Sequence, residues 1–224
     1  MDENIGKILN AIESAGLSET TRVIYTSDHG DNMGTRGLWG KSTMYEETVA
    51  VPFVMSGPDV PKGIVCDTPI SHVDLYPTIV DSAGVARTPQ ESDLAGTSLL
   101  DLATRPSFDR IAFSEYHGMG STHPAYMVRY GRWKYVDYLD YPPQLFDVEA
   151  DPEELKDLAF DHGHKGVLED MRARLHAICD PREVDARARR RQKELLELHG
   201  GREAVIKRGD LGFTPPPGVA ADFG

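Results

Sequence analysis

An α/β layer carrying a second, antiparallel sheet is the fold class that these 224 residues predict. Three observations carry the prediction. Up to Gly96 the apolar residues alternate between helical spacing and short β-rich runs. Beyond it come four brief aromatic and β-branched runs separated by turn residues. Two Asp-Pro sequences then open the kind of segment that caps and starts a helix.

Ile5, Ile8, Leu9, Ile12 and Ala15 fall at helical spacing and Gly16 is a stop, so residues 1–15 read as an amphipathic helix. RVIYTS (22–27) and VPFVMSGP (51–58) read as strands, the second closed by Gly57-Pro58. The helix–strand–loop–strand–helix rhythm is that of an α/β layer with flanking helices and a mixed or parallel sheet, which these two strands would build as parallel neighbours. A parallel sheet of that size is too small to stand alone, so the chain is expected to be the back half of something larger. DLYPTIVDSAG reads as a helix whose face is Val73, Tyr76, Ile79, Val80 and Ala83. RIAFSEY, AYMVRYG, RWKYVDY and QLFDV predict an antiparallel sheet with turns at Tyr130-Gly131 and Pro142-Pro143. Asp151-Pro152-Glu153-Glu154 predicts a helix start, with Asp as N-cap, Pro at the first position and Glu154 in a capping box. Asp180-Pro181-Arg182-Glu183 repeats the device ahead of a basic helix that stops at Gly200-Gly201. The expected division is 1–100 for the α/β part, 101–178 for a small antiparallel α+β subdomain, and 179–224 for a basic helix and a Pro/Gly-rich arm, LGFTPPPGVAADFG.

Hydrophobic content of 40% and charged content of 27% describe a folded globular chain. No run approaches the roughly 18 apolar residues of a membrane helix, and MDENIGKILNAIESAG lacks the parts of a signal peptide. A net charge of −12 argues against nucleic acid as a partner. Residues 1–170 carry 13 basic and 28 acidic side chains, while 171–224 carry 11 and 8, so the basic tail is expected to dock on an acidic body. Cys66 and Cys179 lie far apart with no metal spacing and read as buried small apolar residues.

The stretch TSDHGDNMGTRGLWGK carries the chemistry. Asp28 and His29 sit where a strand ends, the edge at which open α/β sheets bind ligands. A carboxylate and an imidazole can jointly hold a divalent cation, oxygen suiting Ca²⁺, Mg²⁺ or Mn²⁺ and nitrogen tilting toward Mn²⁺ or Zn²⁺. Gly30, Gly34, Gly37 and Gly40 let the backbone turn sharply, and Lys41 returns a positive charge that suits an anion. On spacing alone the pair fits equally a turn beside a hydrogen-bonded histidine.

TSDHGDNMGTRGLWGKSTMYEETVAVPFVMSGP resembles the C-terminal active-site segment of type I sulfatases, in the alkaline phosphatase superfamily and nearest its choline-sulfatase and phosphonate monoester hydrolase branch. MDENIGKILNAIESAGL and SHVDLYPTIVDSAGV resemble the flanking helices, and RYGRWKYVDY with QLFDVEADPEELKDLA resembles the family's C-terminal sheet and closing helix. The resemblance implies part of an alkaline-phosphatase-like sandwich, Asp28 and His29 as metal ligands (Ca²⁺, Mn²⁺ or Mg²⁺), and Lys41 as a catalytic and substrate-binding lysine on the sulfate or phosphonate group. It implies a small anionic ester as substrate and a homo-oligomer formed through the C-terminal arm; the compartment is left open, cytoplasmic or periplasmic for the parent. Glu46, Glu47 and Asp74 are expected to be structural, Asp74 as a helix N-cap. The family's nucleophile, a formylglycine made from Cys or Ser in C/S-x-P-S-R, has no counterpart in this sequence. Cys179-Asp-Pro-Arg lacks the Ser, so the nucleophile is expected in an N-terminal half that is missing here.

His117 and His123, between two predicted strands, are candidates for selecting the ester's organic group or are loop histidines. His72 reads as a capping or packing residue; His162, His164, His176 and His199 read as exposed. The expected function is a sulfatase-type hydrolase. Its alternatives are a phosphonate monoester or phosphodiester hydrolase, and a non-catalytic fragment or oligomerisation module.

Overall fold

The computed structural model describes residues 1–209 apart from 87, 92 and 119–121. The C-terminal arm, 211–224, lies outside the described residues. Two compact units are present, Met1–Leu175 and His176–Gly224. Among the described residues no helix is long and apolar enough to cross a membrane.

The first unit opens with helix α1 (Asp2–Ser14), which follows the predicted periodicity yet buries no residue fully; Ile8 and Leu9 are exposed. Strands β1 (Val23–Thr26) and β2 (Phe53–Ser56) then pair, but antiparallel, with Thr26 opposite Phe53 and Val23 opposite Ser56. The parallel pairing predicted above is thereby corrected. A parallel pair needs a crossover that carries the chain back along the strand. Residues 27–52 instead fold on themselves around one short helix, α2 (Glu46–Val49), and Gly30 N–H donates to Thr48 O at 3.0 Å. The chain therefore returns beside the point where it left.

Helix α3 (Leu75–Ser82) forms as predicted with its faces exchanged. Pro77 and Thr78 are buried, whereas Val73, Tyr76 and Ile79 are exposed. Asp74 decides the orientation. Fully buried, it completes a capping box with Ser71, accepts from Thr97 N–H at 2.8 Å and pairs with Arg110 at 2.8 Å. Asp74 is the N-cap residue of α3 as expected, but its side chain serves the preceding 3-10 turn, as the N3 residue of a box whose own N-cap is Ser71. Thr78 Oγ1 accepts from Leu99 N–H at 2.8 Å, tying in helix α4 (Leu99–Thr104).

The predicted antiparallel sheet is a meander of β3 (Ile111–Tyr116), β4 (Ala125–Tyr130), β5 (Trp133–Tyr138) and β6 (Gln144–Asp147), in that order. Tyr116 pairs with Ala125, and Ala125 with Tyr138, which fixes the register. Period-two alternation then sorts the side chains. Ala125, Met127 and Val136 form one cluster with Met44, against which Val49, Tyr116 and Tyr138 pack. The opposite face buries Tyr126, Val128, Tyr135 and Leu145. Helix α5 (Lys165–Ile178) meets that face: Arg172 donates to the Tyr135 hydroxyl and the Arg174 guanidinium stands 3.5 Å from the Tyr130 ring centre.

No helix starts at Asp151. The chain enters a helix only at Lys165, after a 3-10 turn whose Asp161 side chain accepts from Gly163 N–H. Glu154 explains the difference: it adopts φ 51, outside the helical region, and its carboxylate is buried against Lys134. A left-handed non-glycine residue costs on the order of 1–3 kcal/mol, and Glu154 adopts that conformation with its carboxylate on Lys134.

In the second unit Asp180 is the N-cap as predicted, accepting from Arg182 and Glu183 N–H, with Pro181 starting helix α6 (Pro181–Leu198). As predicted, α6 ends ahead of Gly200 and Gly201, which take positive φ, and a further helix, α7 (Gly201–Arg208), then follows. Neither cysteine is buried: Cys66 is exposed in an irregular segment and Cys179 is half-buried.

Candidate active site

A cleft of about 500 Å³ opens within the first unit, lined by the loop after β1 and by one face of the meander. Asp28, His29, Lys41, His72, Tyr116 and Arg129 are among its walls. The geometry at its polar end is specific. His29 Nδ1 lies 2.8 Å from Gly30 O. A carbonyl can only accept, so Nδ1 carries the proton and Nε2 presents its lone pair. Lys41 Nζ sits 2.8 Å from that Nε2 and donates to it, and Asp28 Oδ2 is 3.3 Å away. The His29 backbone N–H, donating to Asp28 Oδ1, holds the Asp28 carboxyl below its usual range, and the Lys41 charge adds to the effect.

Directional contacts place these three groups. Asn32, buried, donates to Gly40 O both from its backbone (2.9 Å) and from its side chain (2.6 Å), which closes the glycine loop and sets Lys41 beside His29. Gly30 packs so closely on α2 that a Cβ there would overlap the Glu47 carbonyl oxygen. Arg36, left-handed at the loop's apex, bonds Glu47 at 2.6 Å, donates to Glu153 O and stacks on Tyr45. Burial pushes the Glu47 carboxyl up, but its own backbone N–H and Arg36 outweigh that and leave it below the usual value. Beneath α2 the fully buried Lys134 ammonium meets Glu46 at 2.9 Å and Glu154 at 2.7 Å, and Glu154 also accepts from Glu46 N–H. Burial pushes the Glu154 carboxyl up despite the opposing Lys134 charge. Glu46 and Glu47, expected to be structural, make these loop-holding contacts.

The structure therefore brings Asp28, His29 and Lys41 to one point. It does not bring His117 and His123 there. Tyr116 faces the cleft, so the chain's alternation carries His117 away, its ring edge-on to Tyr126 at 5.5 Å. His123 packs edge-on to Tyr141 at 4.6 Å and lines a separate groove. His72, which the sequence reading took for a capping or packing residue, lines the cleft, and its Nε2 lies 2.8 Å from Ser27 O. Asn32, Arg36, Lys134 and Glu154 were also missed as supports. Lys134 left a signal: a lysine at an inward position of an alternating strand requires a buried partner.

Asp28 and His29 fit a divalent metal as part of a ligand set. An ionised carboxylate and an imidazole lone pair face the same point, and His29 is held in the required tautomer by Gly30 O. Among the described residues no group of three or more His, Cys, Asp or Glu gathers to complete the set.

Residues 1–85 match the sulfatase family model. Arylsulfatase K of Danio rerio is 36% identical over 202 residues, covering 86% of this chain and 38% of that protein. The choline-sulfatase of Rhizobium meliloti (strain 1021) is 34% identical over 198 residues, with the same coverage of each. The chain thus spans under two-fifths of the length of these relatives. Two solved structures share the fold over 79% of the chain. One, in complex with its substrate D-glucosamine-2-N,6-O-disulfate, has a TM-score of 0.72, 26% identity and 37% of its length covered. The other, the phosphonate monoester hydrolase of Agrobacterium radiobacter, has a TM-score of 0.66, 26% identity and 38% of its length covered.

Proposed function

Because the chain belongs to the type I sulfatase family, we propose that it contributes to a hydrolase of sulfate esters, with Asp28 and His29 holding a divalent metal and Lys41 engaging the anion. The convergence of Asp28 Oδ2 and Lys41 Nζ on His29 Nε2, at 3.3 and 2.8 Å, carries the reading. A metal bound there would supply Lewis-acid stabilisation of charge on the transferred group. Asp28 and His29 contribute two ligands, and the other positions fall to water, substrate or residues outside this chain. Were His29 Nε2 so engaged, Lys41 would be free to turn its protons to the sulfate oxygens and neutralise charge as the alcohol leaves. Gly30 O keeps His29 in the tautomer that ligates, and Asn32 keeps Lys41 in reach. The attacking group, a formylglycine in this reading, comes from outside the chain, since the sequence holds no C/S-x-P-S-R.

Mn²⁺ titration of the purified chain, read by electron paramagnetic resonance, tests the assignment. We expect one saturable site, weakened at least tenfold in Asp28→Ala; equal binding by both proteins refutes it. We also expect no turnover of an aryl sulfate by the chain alone. Turnover that Asp28→Ala abolishes would mean that the nucleophile lies within these residues.

The fold shared with a phosphonate monoester hydrolase favours a second reading, an aryl phosphonate in the same cleft. Titrating the Mn²⁺-loaded chain with phenyl sulfate and with phenylphosphonate ranks the two. Self-association through residues 211–224 belongs to the same proposal, and a monomeric sedimentation mass for the full chain would sink it.

A further inference from the structure

We propose that His72 is a positioning residue, which sets how the Asp28-His29 turn stands relative to the body of the fold. Strand β1 ends at Thr26, so the carbonyls that follow have left the β1–β2 ladder and must find other donors. Three of them are met by side chains. The Ser27 hydroxyl donates to His29 O at 2.8 Å, His29 Nδ1 donates to Gly30 O at 2.8 Å, and His72 Nε2 lies 2.8 Å from Ser27 O. A carbonyl only accepts, so His72 carries a proton on Nε2 and donates it.

The first two bonds close within residues 27–30. Such bonds fix the shape of a turn but not its direction relative to anything else. The Gly30–Thr48, Asn32–Gly40 and Lys41–His29 bonds likewise stay inside the 27–52 excursion. His72 comes from outside it, from the 3-10 turn His72–Asp74 ahead of α3. That turn is anchored through the fully buried Asp74, whose carboxylate accepts from Ser71 N–H, Thr97 N–H and Arg110. Arg110 donates also to Pro69 O, which ties down the approach to the turn. His72 is thus an exposed side chain on a firmly held base, and its bond reaches the peptide group that joins Ser27 to Asp28. Rotation of that peptide would swing the Asp28 carboxylate from its place 3.3 Å from His29 Nε2.

The positioning stands without the hydrolase reading; only its effect on a bound cation rests on that reading. The residual dipolar coupling of the Asp28 N–H, measured by NMR on the full chain without added metal, reads the positioning. That N–H belongs to the peptide whose carbonyl His72 holds, so its coupling should change in His72→Ala. His72→Gln keeps an N–H donor at similar reach and should restore most of the wild-type value. Mn²⁺ titration read by electron paramagnetic resonance measures the effect on the cation. A direct partner of a ligand sets about 10–100-fold in metal affinity; His72 acts one peptide removed, so a loss of about three- to tenfold is expected in His72→Ala. His72→Gln should recover most of it. Because His72 is exposed, all three proteins should share one midpoint in urea. An Asp28 coupling unchanged in His72→Ala, or changed alike in both variants, would overturn the proposal. So would a measurable Mn²⁺ affinity that is equal in the wild type and His72→Ala. A midpoint lowered alike in both variants would make His72 a packing residue instead. A wild-type chain that binds no Mn²⁺ while the couplings behave as expected would remove the metal reading and support the positioning.

Discussion

Residues 111–175 bury tyrosine, valine, leucine and methionine on both faces of the meander, whereas the described residues of 1–110 bury only Met44, Leu99 and Leu102 among large apolar side chains. Apart from Pro77, what the earlier region buries otherwise is polar: Asn32, Thr48, Thr68, Asp74, Thr78 and Ser98. Apolar burial is strong but non-directional, at roughly 25 cal/mol per Å², and suits a scaffold. Hydrogen bonds and buried ion pairs contribute less net stability each, yet fix atoms in direction and distance. The site-bearing region is thus positioned by directional contacts, and Lys134 and Glu154 transmit the sheet's rigidity to it through Glu46.

Lys134→Met tests this contrast most severely. Removing one member of a buried charged group leaves Glu154 uncompensated and should cost about 3–5 kcal/mol, read as a lowered midpoint in urea. The double variant with Glu154→Gln should recover part of the loss. A cost below about 0.5 kcal/mol would mean that apolar packing alone holds the site loop. Asn32→Ala comes next: it removes a buried donor and acceptor at an expected cost of about 1–3 kcal/mol. Hydrogen exchange should accelerate at Gly30 and Gly34 while the amides of β4 and β5 stay protected; uniform acceleration would show that the two regions are not distinct.

The smallest effect is expected at the sheet's surface. Burial pushes the Asp147 carboxyl up, but paired bonds to Arg132 at 2.8 and 2.5 Å overcome this and leave it below its usual value. A depressed folded value means stability that is present above the unfolded value of about 3.9 and lost as pH falls through the folded one. Asp147→Asn should therefore flatten the acid limb of the stability profile below about pH 4 and leave neutral pH little changed. An unaltered acid limb would show that the pair contributes nothing measurable.

The meander and the Asp28-His29-Lys41 loop were legible because each is written locally, in alternation, turn residues and a glycine loop of fixed spacing. The β1–β2 direction was not, since strand polarity depends on where a long connection ends. The α3 face was misread because one buried Asp74–Arg110 pair outweighed five apolar residues. Asp151-Pro152-Glu153-Glu154 carries every local mark of a helix start, and the partner that overrides it, Lys134, lies in a different strand. His117 and His123 were placed by sequence position in one loop, while the sheet's pleat sends the first away from the cleft.

The antiparallel β1–β2 pair sets Thr26 opposite Phe53, so the segment between them leaves and re-enters the fold at neighbouring points. Such an excursion behaves as a cassette. Its closure entropy changes by only about 0.6 kcal/mol for each doubling of length, so insertions within it leave the strand pairing intact. A loop exchanged between relatives at these two points would bring its own Asp-His pair and lysine as a preassembled set. The graft must also keep the residues that receive Arg36 and Glu46, because there the cassette is latched to its host.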